Sequence, residues 1–166
     1  REAMKLNSAR VSAILALLVL GSVRASSPAD GPVIEHDPRS CVVADQFPRF
    51  EARFAAPDTV SRARVRFRAA GGAWYFVEMK RAEDLFAGVL PKPSKALKEF
   101  SYYIEATDRE FRENRTQEYT ATVVAASAMC ADQKMVAGVA GSTAAVLVGG
   151  PSGAAVVPAR FSSAGV

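Results

Sequence analysis

Residues 62–80 read RARVRFRAAGGAWYFVEMK, and their reading decides the fold. From Arg62 to Arg68, Ala63, Val65 and Phe67 alternate with Arg62, Arg64, Arg66 and Arg68. A period of two is that of a strand with one face on a core and one in water. Ala70-Gly71-Gly72-Ala73 reads as a turn, because glycine adopts positive φ without steric cost. Trp74 to Lys80 is rich in aromatic and β-branched residues and reads as the return strand of a hairpin. Two registers are open for that strand. In the first, Tyr75, Val77 and Met79 fill the core while Trp74, Phe76, Glu78 and Lys80 face outward. In the second, Trp74 and Phe76 are buried, and the arginines form a solvated face balanced by Glu78 and Glu105.

Further strands are expected on both sides of this hairpin. Phe50 to Phe54 alternates, and Leu85 to Leu90 follows a polar turn at Arg81 to Asp84. Pro91 and Pro93 should end that strand, since proline donates nothing to a ladder. Phe100 to Thr107 and Glu118 to Val124 flank a charged loop, DREFRENRT, and a weaker strand is expected at Cys41 to Ala44. Ser94 to Glu99 is the one helix candidate inside the domain, too short to stand alone. About seven short strands with frequent turns predict an all-β domain, a single antiparallel β-sandwich.

Trp74, Val77, Met79, Phe86, Gly88, Leu90 and Pro91, followed by Tyr102-Tyr103-Ile104-Glu105-Ala106-Thr107-Asp108, resemble the immunoglobulin-like or fibronectin type III-like domains of bacterial envelope proteins. The resemblance covers roughly residues 62 to 124. It implies a sandwich in which a tyrosine of the penultimate strand packs at the corner between sheets. It also implies a spacer or binding module without catalytic residues. The inter-sheet Cys-Trp-Cys arrangement of the antibody branch is not reproduced. In such sandwiches the first and last strands run close together, so Cys41 and Cys130 are expected to form a disulfide fastening both ends. Two free thiols in flexible flanks are the other possibility.

The ends of the chain read as addresses. Lys5 and Arg10 precede a short apolar run, Val11 to Val23, and Val23-Arg24-Ala25 fits a signal-peptidase site. Residues 1–25 are therefore expected to be a signal peptide, with Arg1-Glu2-Ala3 a short extension ahead of Met4. Residues 26–40 read as a linker, residues 41–130 as the sandwich and residues 131–166 as a low-complexity apolar tail. Met135 to Val157 carries no charge and has the length of a membrane span. Gly149-Gly150-Pro151 interrupts it, so a transmembrane helix and a low-complexity terminus both remain open. The predicted location is exported, in the periplasm or cell envelope, with the tail as a membrane anchor.

The net charge of +4 suggests nucleic acid at first sight. Yet residues 26–134 hold sixteen basic and sixteen acidic side chains, so the central region is neutral and no nucleic-acid partner is expected. His36 is the lone histidine, in Glu35-His36-Asp37-Pro38, where neighbours on an extended chain point apart. A solvated linker explains it better than acid–base chemistry. Two cysteines and one histidine do not approach a zinc-site spacing, and no phosphate loop or nucleophile elbow is present. No enzyme activity, metal or cofactor is predicted.

The expected function is a non-catalytic envelope binding or assembly module, its partner an envelope protein or a glycan. The alternative is a carbohydrate-binding accessory of an exported glycan-active system. The candidate surface consists of Arg62, Arg64, Arg66, Arg68, Trp74, Phe76 and Tyr103, suited to stacking and cation–π contacts.

Overall fold

A computed structural model describes residues 31–130, 147–151 and 157–162. The expected signal peptide and residues 131–146 of the tail lie outside the described residues. The chain is built mainly of β-strands in three sheets. The hairpin expected at residues 62–80 is present. Strand β4 (Val60–Ala69) buries Ala63, Val65 and Phe67 and pairs with β5 (Tyr75–Glu78), Val65 opposite Val77 and Arg66 opposite Phe76. Gly71 takes φ 68° in the connecting turn, where an L side chain would be strained. Val77 and Met79 are buried and Glu78 is exposed, which is the first of the two registers.

Phe100, Tyr102, Ile104 and Ala106 point inward from β9 (Glu99–Asp108), which lies on the other side of β4. With β2 (Cys41–Val43), β10 (Glu113–Arg115) and β11 (Tyr119–Val124), these strands form a sheet of order β2-β11-β9-β4-β5, β10 pairing with β9. Strand β2 runs parallel to β11; the other pairings are antiparallel. A second sheet has the order β1-β3-β7-β6, from β1 (Ile34–Glu35), β3 (Arg49–Phe54), β6 (Lys80–Ala82) and β7 (Leu85–Val89). Phe50, Ala52, Phe54 and Phe86 from this sheet join Val65, Phe67, Phe100, Tyr102 and Ile104 from the first in one core. The Phe50 and Tyr102 rings meet at 4.5 Å, tying β3 to β9.

Several expectations change. Residues 74–80 are not one strand: Met79 is buried, its N–H bonds to Ala63 O, and Lys80 begins β6 in the other sheet. Lys80 therefore does not share the arginine face, because the chain steps between sheets where Met79 drops into the core. Ser94 to Leu97 forms a turn in place of a helix, closed by Leu97 N–H on Ser94 O with Leu97 in the core, and Glu99 begins β9. The charged loop after Asp108 folds back as β10. The Asp108 carboxylate accepts the amides of Glu110 and Arg112 and the Arg112 guanidinium, and so shapes the turn. Burial pushes this carboxyl up, but those hydrogen bonds and the Arg112 charge outweigh it and hold it below the usual carboxylate range.

The expected linker is part of the fold from Gly31 onward, since β1 pairs with β3. His36 is half-buried, not a solvated linker residue. Its Nδ1–H donates to Glu51 O at 2.6 Å, which leaves Nε2 to accept the Tyr102 hydroxyl at 3.2 Å. The Tyr102 oxygen in turn accepts the Arg39 N–H at 2.7 Å. Burial is the main cause that lowers the His36 pKa, and Arg39 adds to it, against the Glu51 hydrogen bond and Asp37. The unfolded chain therefore takes up this proton at a higher pH than the fold. Stability is expected to fall as the pH drops below about 6.5 towards the lowered folded value. Thermal melts across pH 7 to 5 check this: the wild-type midpoint should fall, and His36→Gln should flatten the slope.

Cys41 and Cys130 form the expected disulfide, with Cα atoms 5.7 Å apart and both residues buried. The distal tail does not remain apart from the domain. Leu147 to Gly150 is not helical and pairs with β5 through Gly149, so Met135 to Val157 does not run as one unbroken helix. Among the described residues no helix is long and apolar enough to cross a membrane. Strand β12 (Phe161–Ser162) pairs with β8 (Lys92–Pro93), and Phe161 packs on Phe67 and Phe100. Pro91 and Pro93 thus end β7 as expected, yet Lys92 and Pro93 still pair with β12, while Pro93 O accepts the Asp45 N–H.

Candidate functional site

The outward face of the β2-β11-β9-β4-β5 sheet gathers the candidate residues into rows that the strand registers dictate. Across one row stand Arg115, Glu105, Arg64 and Glu78, from β10, β9, β4 and β5. Across the next stand Tyr103, Arg66 and Phe76. Beyond them, Ser101 lies opposite Arg68, with Trp74 just before β5. Charge alternates along the first row, and aromatic rings flank a guanidinium in the second.

The arginines are largely committed to glutamates. Arg64 Nε donates to Glu78 at 2.6 Å, Arg66 Nε to Glu105 at 2.8 Å and Arg68 to Glu118 at 2.9 Å. Arg62 stands 3.9 Å from Glu113, with both side chains exposed. Hydrogen bonds from Ser101 and then Arg68 hold the Glu118 carboxyl below the usual range. The face is thus a lattice of paired charges, and Glu78 and Glu105 balance arginines as one of the two readings expected, although the register is that of the other.

Aromatic rings fill the lattice. The Arg64 guanidinium lies 4.0 Å from the Phe76 ring centre and that of Arg66 lies 5.0 Å away. Arg68 lies 4.4 Å from the Trp74 ring, and Trp74 meets Tyr103 edge-on at 4.7 Å. Arg115 caps Tyr103 at 5.3 Å. Trp74 and Tyr103 are half-buried by these contacts. Six of the seven candidate residues lie on strands of this sheet and Trp74 lies just before β5; Arg62 sits near the start of β4. Arg115, Glu113, Glu118 and Gly149 escaped sequence reasoning. Arg115 had a signal, since a charged loop of this length can fold back, but its register on β9 had none.

Beside this face, Glu105, Thr107, Glu113, Asn114 and Arg115 line a shallow polar depression of about 280 Å³ on the β9–β10 ladder. Asn114 within Asn114-Arg115-Thr116 is used structurally: its amide donates to Pro32 O, while the Thr116 hydroxyl accepts the Ile104 N–H. Among the described residues, no three His, Cys, Asp or Glu side chains gather as a metal site.

No protein-family model and no curated protein matches the chain. Among solved structures it is similar to an engineered protein, a structural-genomics target, at 14% identity and a TM-score of 0.45. That match covers 59% of this chain and 21% of the engineered protein, about a fifth of its length.

Proposed function

We propose that the chain is a non-catalytic binding or assembly module of the cell envelope, built as an immunoglobulin-like β-sandwich and exported. The strand orders support the sandwich reading: β1-β3-β7-β6 corresponds to strands A, B, E and D of such domains, and β11-β9-β4-β5 to G, F, C and C′. A buried disulfide supports an oxidising, exported compartment.

The observation that carries the binding role is the Trp74–Tyr103 pair, set among the guanidiniums of Arg68 and Arg115. Aromatic rings held rigidly on a sheet and rimmed by paired charges offer stacking area without a strong field. The partner is then an envelope protein or a glycan recognised by stacking and planar hydrogen bonding, and polyanions such as nucleic acid are disfavoured. The second reading, a carbohydrate-binding accessory of a glycan-active system, draws on the polar depression next to the rings.

The test replaces Trp74 and Arg66 separately by alanine and measures retention on immobilised envelope protein and on cell-wall polysaccharide. Trp74→Ala is expected to stay folded at a cost of about 1 kcal/mol, the worth of an aromatic pair, and to lose retention. Arg66→Ala should do the same. Elution by soluble sugar selects the glycan reading. A Trp74→Ala chain that binds as wild type excludes this face.

A further inference from the structure

Beyond the end of β9, away from the rings of Trp74 and Tyr103, the chain turns at Arg109 to Arg112. Phe111 stands at the apex with φ 62°, inside the left-handed region, and is 86% exposed. The other described non-glycine residues at positive φ are Asp45, Glu83 and Arg160, all polar. A bulky side chain is disfavoured at such an angle, where glycine or asparagine is the ordinary occupant. The turn is built without help from the ring. Asp108, 2% exposed, accepts the Glu110 and Arg112 amides at 2.9 Å and the Arg112 guanidinium at 2.6 Å. Its N–H donates to Arg112 O, and its carbonyl accepts the Phe111 N–H. Backbone strain and an aromatic ring in water therefore coincide at one residue, and neither serves the fold. Conflicts of this kind mark functional positions.

We propose that Phe111 is the tip of a membrane-contact site, its ring entering the headgroup–acyl boundary of a phospholipid bilayer. This surface is separate from the Trp74–Tyr103 face and does not depend on the role given to that face. Three segments meet here through hydrogen bonds. Val33 O accepts the Ala55 N–H, Thr59 O accepts the Arg109 N–H, and the Asn114 amide reaches Pro32 O. Val33 is 57% exposed, and Ala55 and Ala56 are exposed too, so one tall ring rises beside small apolar side chains. A protein partner would need a pocket shaped to that ring, whereas a bilayer asks only that it protrude. The charges nearby are already matched: Asp58 pairs with Arg81 at 2.7 Å, Glu110 with Arg112 at 3.3 Å, and Glu113 lies 3.9 Å from Arg62. Paired charges lose less on leaving water. Arg109, exposed beside the ring, offers its planar guanidinium to a lipid phosphate. Glu83 and Asp84, tied in through Arg81, keep this end from being cationic, which favours zwitterionic over anionic headgroups. Burying one phenyl ring raises partition by roughly ten- to a hundredfold, a reversible contact and not an anchor.

Fluorescence of the full chain carrying Phe111→Trp together with Trp74→Phe tests this, because the only tryptophan then reports position 111. With phosphatidylcholine vesicles its emission is expected to shift to shorter wavelength, and bromines on the upper acyl chain should quench it. Insertion by any other part of the chain leaves this signal unmoved. Adding Arg109→Glu should weaken the quenching. Phe111→Asn, which accepts the left-handed angle, should melt at or above the wild-type temperature. Emission that brominated lipid leaves unquenched overturns the proposal. So does emission shielded only when envelope protein is added, which gives the ring to a protein pocket instead. A lower melting temperature for Phe111→Asn also overturns it, since the ring would then serve the fold.

Discussion

Replacing Cys41 and Cys130 together by serine is expected to lower the stability of the folded chain by about 4 kcal/mol. The bond closes a loop across a sequence separation of 89 residues. In the chain-entropy model a loop of that size restricts the unfolded ensemble by about 4 kcal/mol or slightly more. Geometry adds to the effect, since β2 is only three residues long and its partner strand is β11 alone. Without the covalent link, the turn Ser127–Met129, none of whose residues is buried, would lose its tie to β2. Urea denaturation of the oxidised chain, the reduced chain and the double variant measures the difference. Non-reducing peptide mapping of exported protein should first recover the joined fragments. A midpoint shift worth less than about 1 kcal/mol, or two alkylated thiols in exported protein, would contradict this expectation.

The hairpin at residues 62–80 was legible because its alternation repeats without interruption from Ala63 to Phe67, and a period of two admits few other conformations. The strand at Phe100 to Thr107 was legible for the same reason. The disulfide followed from where two cysteines flank a domain. Other features depended on contacts between residues far apart in the chain. Met79 continues the alternation of β5, so nothing local announces that the next residue joins the opposite sheet. Glu113 to Arg115 is polar throughout, and only its bonds to β9 make it a strand. His36 was misjudged because its partners, Glu51 and Tyr102, lie 15 and 66 residues away. Gly149 belongs to an uncharged run whose composition suits a membrane or a loose terminus. Its placement depends on the shape of the Phe76 ring, which composition does not encode.

The arginines illustrate how register decides chemistry. Read along β4 alone, Arg62, Arg64, Arg66 and Arg68 form a cationic stripe. Read across the sheet, Glu78, Glu105, Glu113 and Glu118 meet them one by one. Exposed pairs of this kind add little stability, commonly under about 1 kcal/mol each. What they do is fix the guanidinium planes over Phe76 and Trp74, leaving side chains ordered before any partner arrives. On the binding role proposed above, such a face would select a ligand by shape and stacking, and added salt should weaken retention only modestly.

The largest single-residue effect is expected at Tyr102. Its ring is fully buried against Phe50 and Tyr119, with centroids at 4.5 and 5.4 Å. Its hydroxyl accepts the Arg39 amide and donates to His36 Nε2, so one side chain ties β9 to the segment before β2. Tyr102→Ala leaves a cavity of aromatic size and is expected to cost about 3 to 5 kcal/mol. Tyr102→Phe keeps the packing but strands a backbone donor and the imidazole acceptor, a loss of about 1 to 3 kcal/mol. The two variants therefore separate the ring from the hydroxyl. A double-mutant cycle of Tyr102→Phe with His36→Gln then measures their coupling, which groups in one hydrogen-bond network should show at about 0.5 kcal/mol or more. Strict additivity in that cycle would mean that His36 and Tyr102 support the fold independently. The acid sensitivity assigned to His36 would then have to persist in Tyr102→Phe.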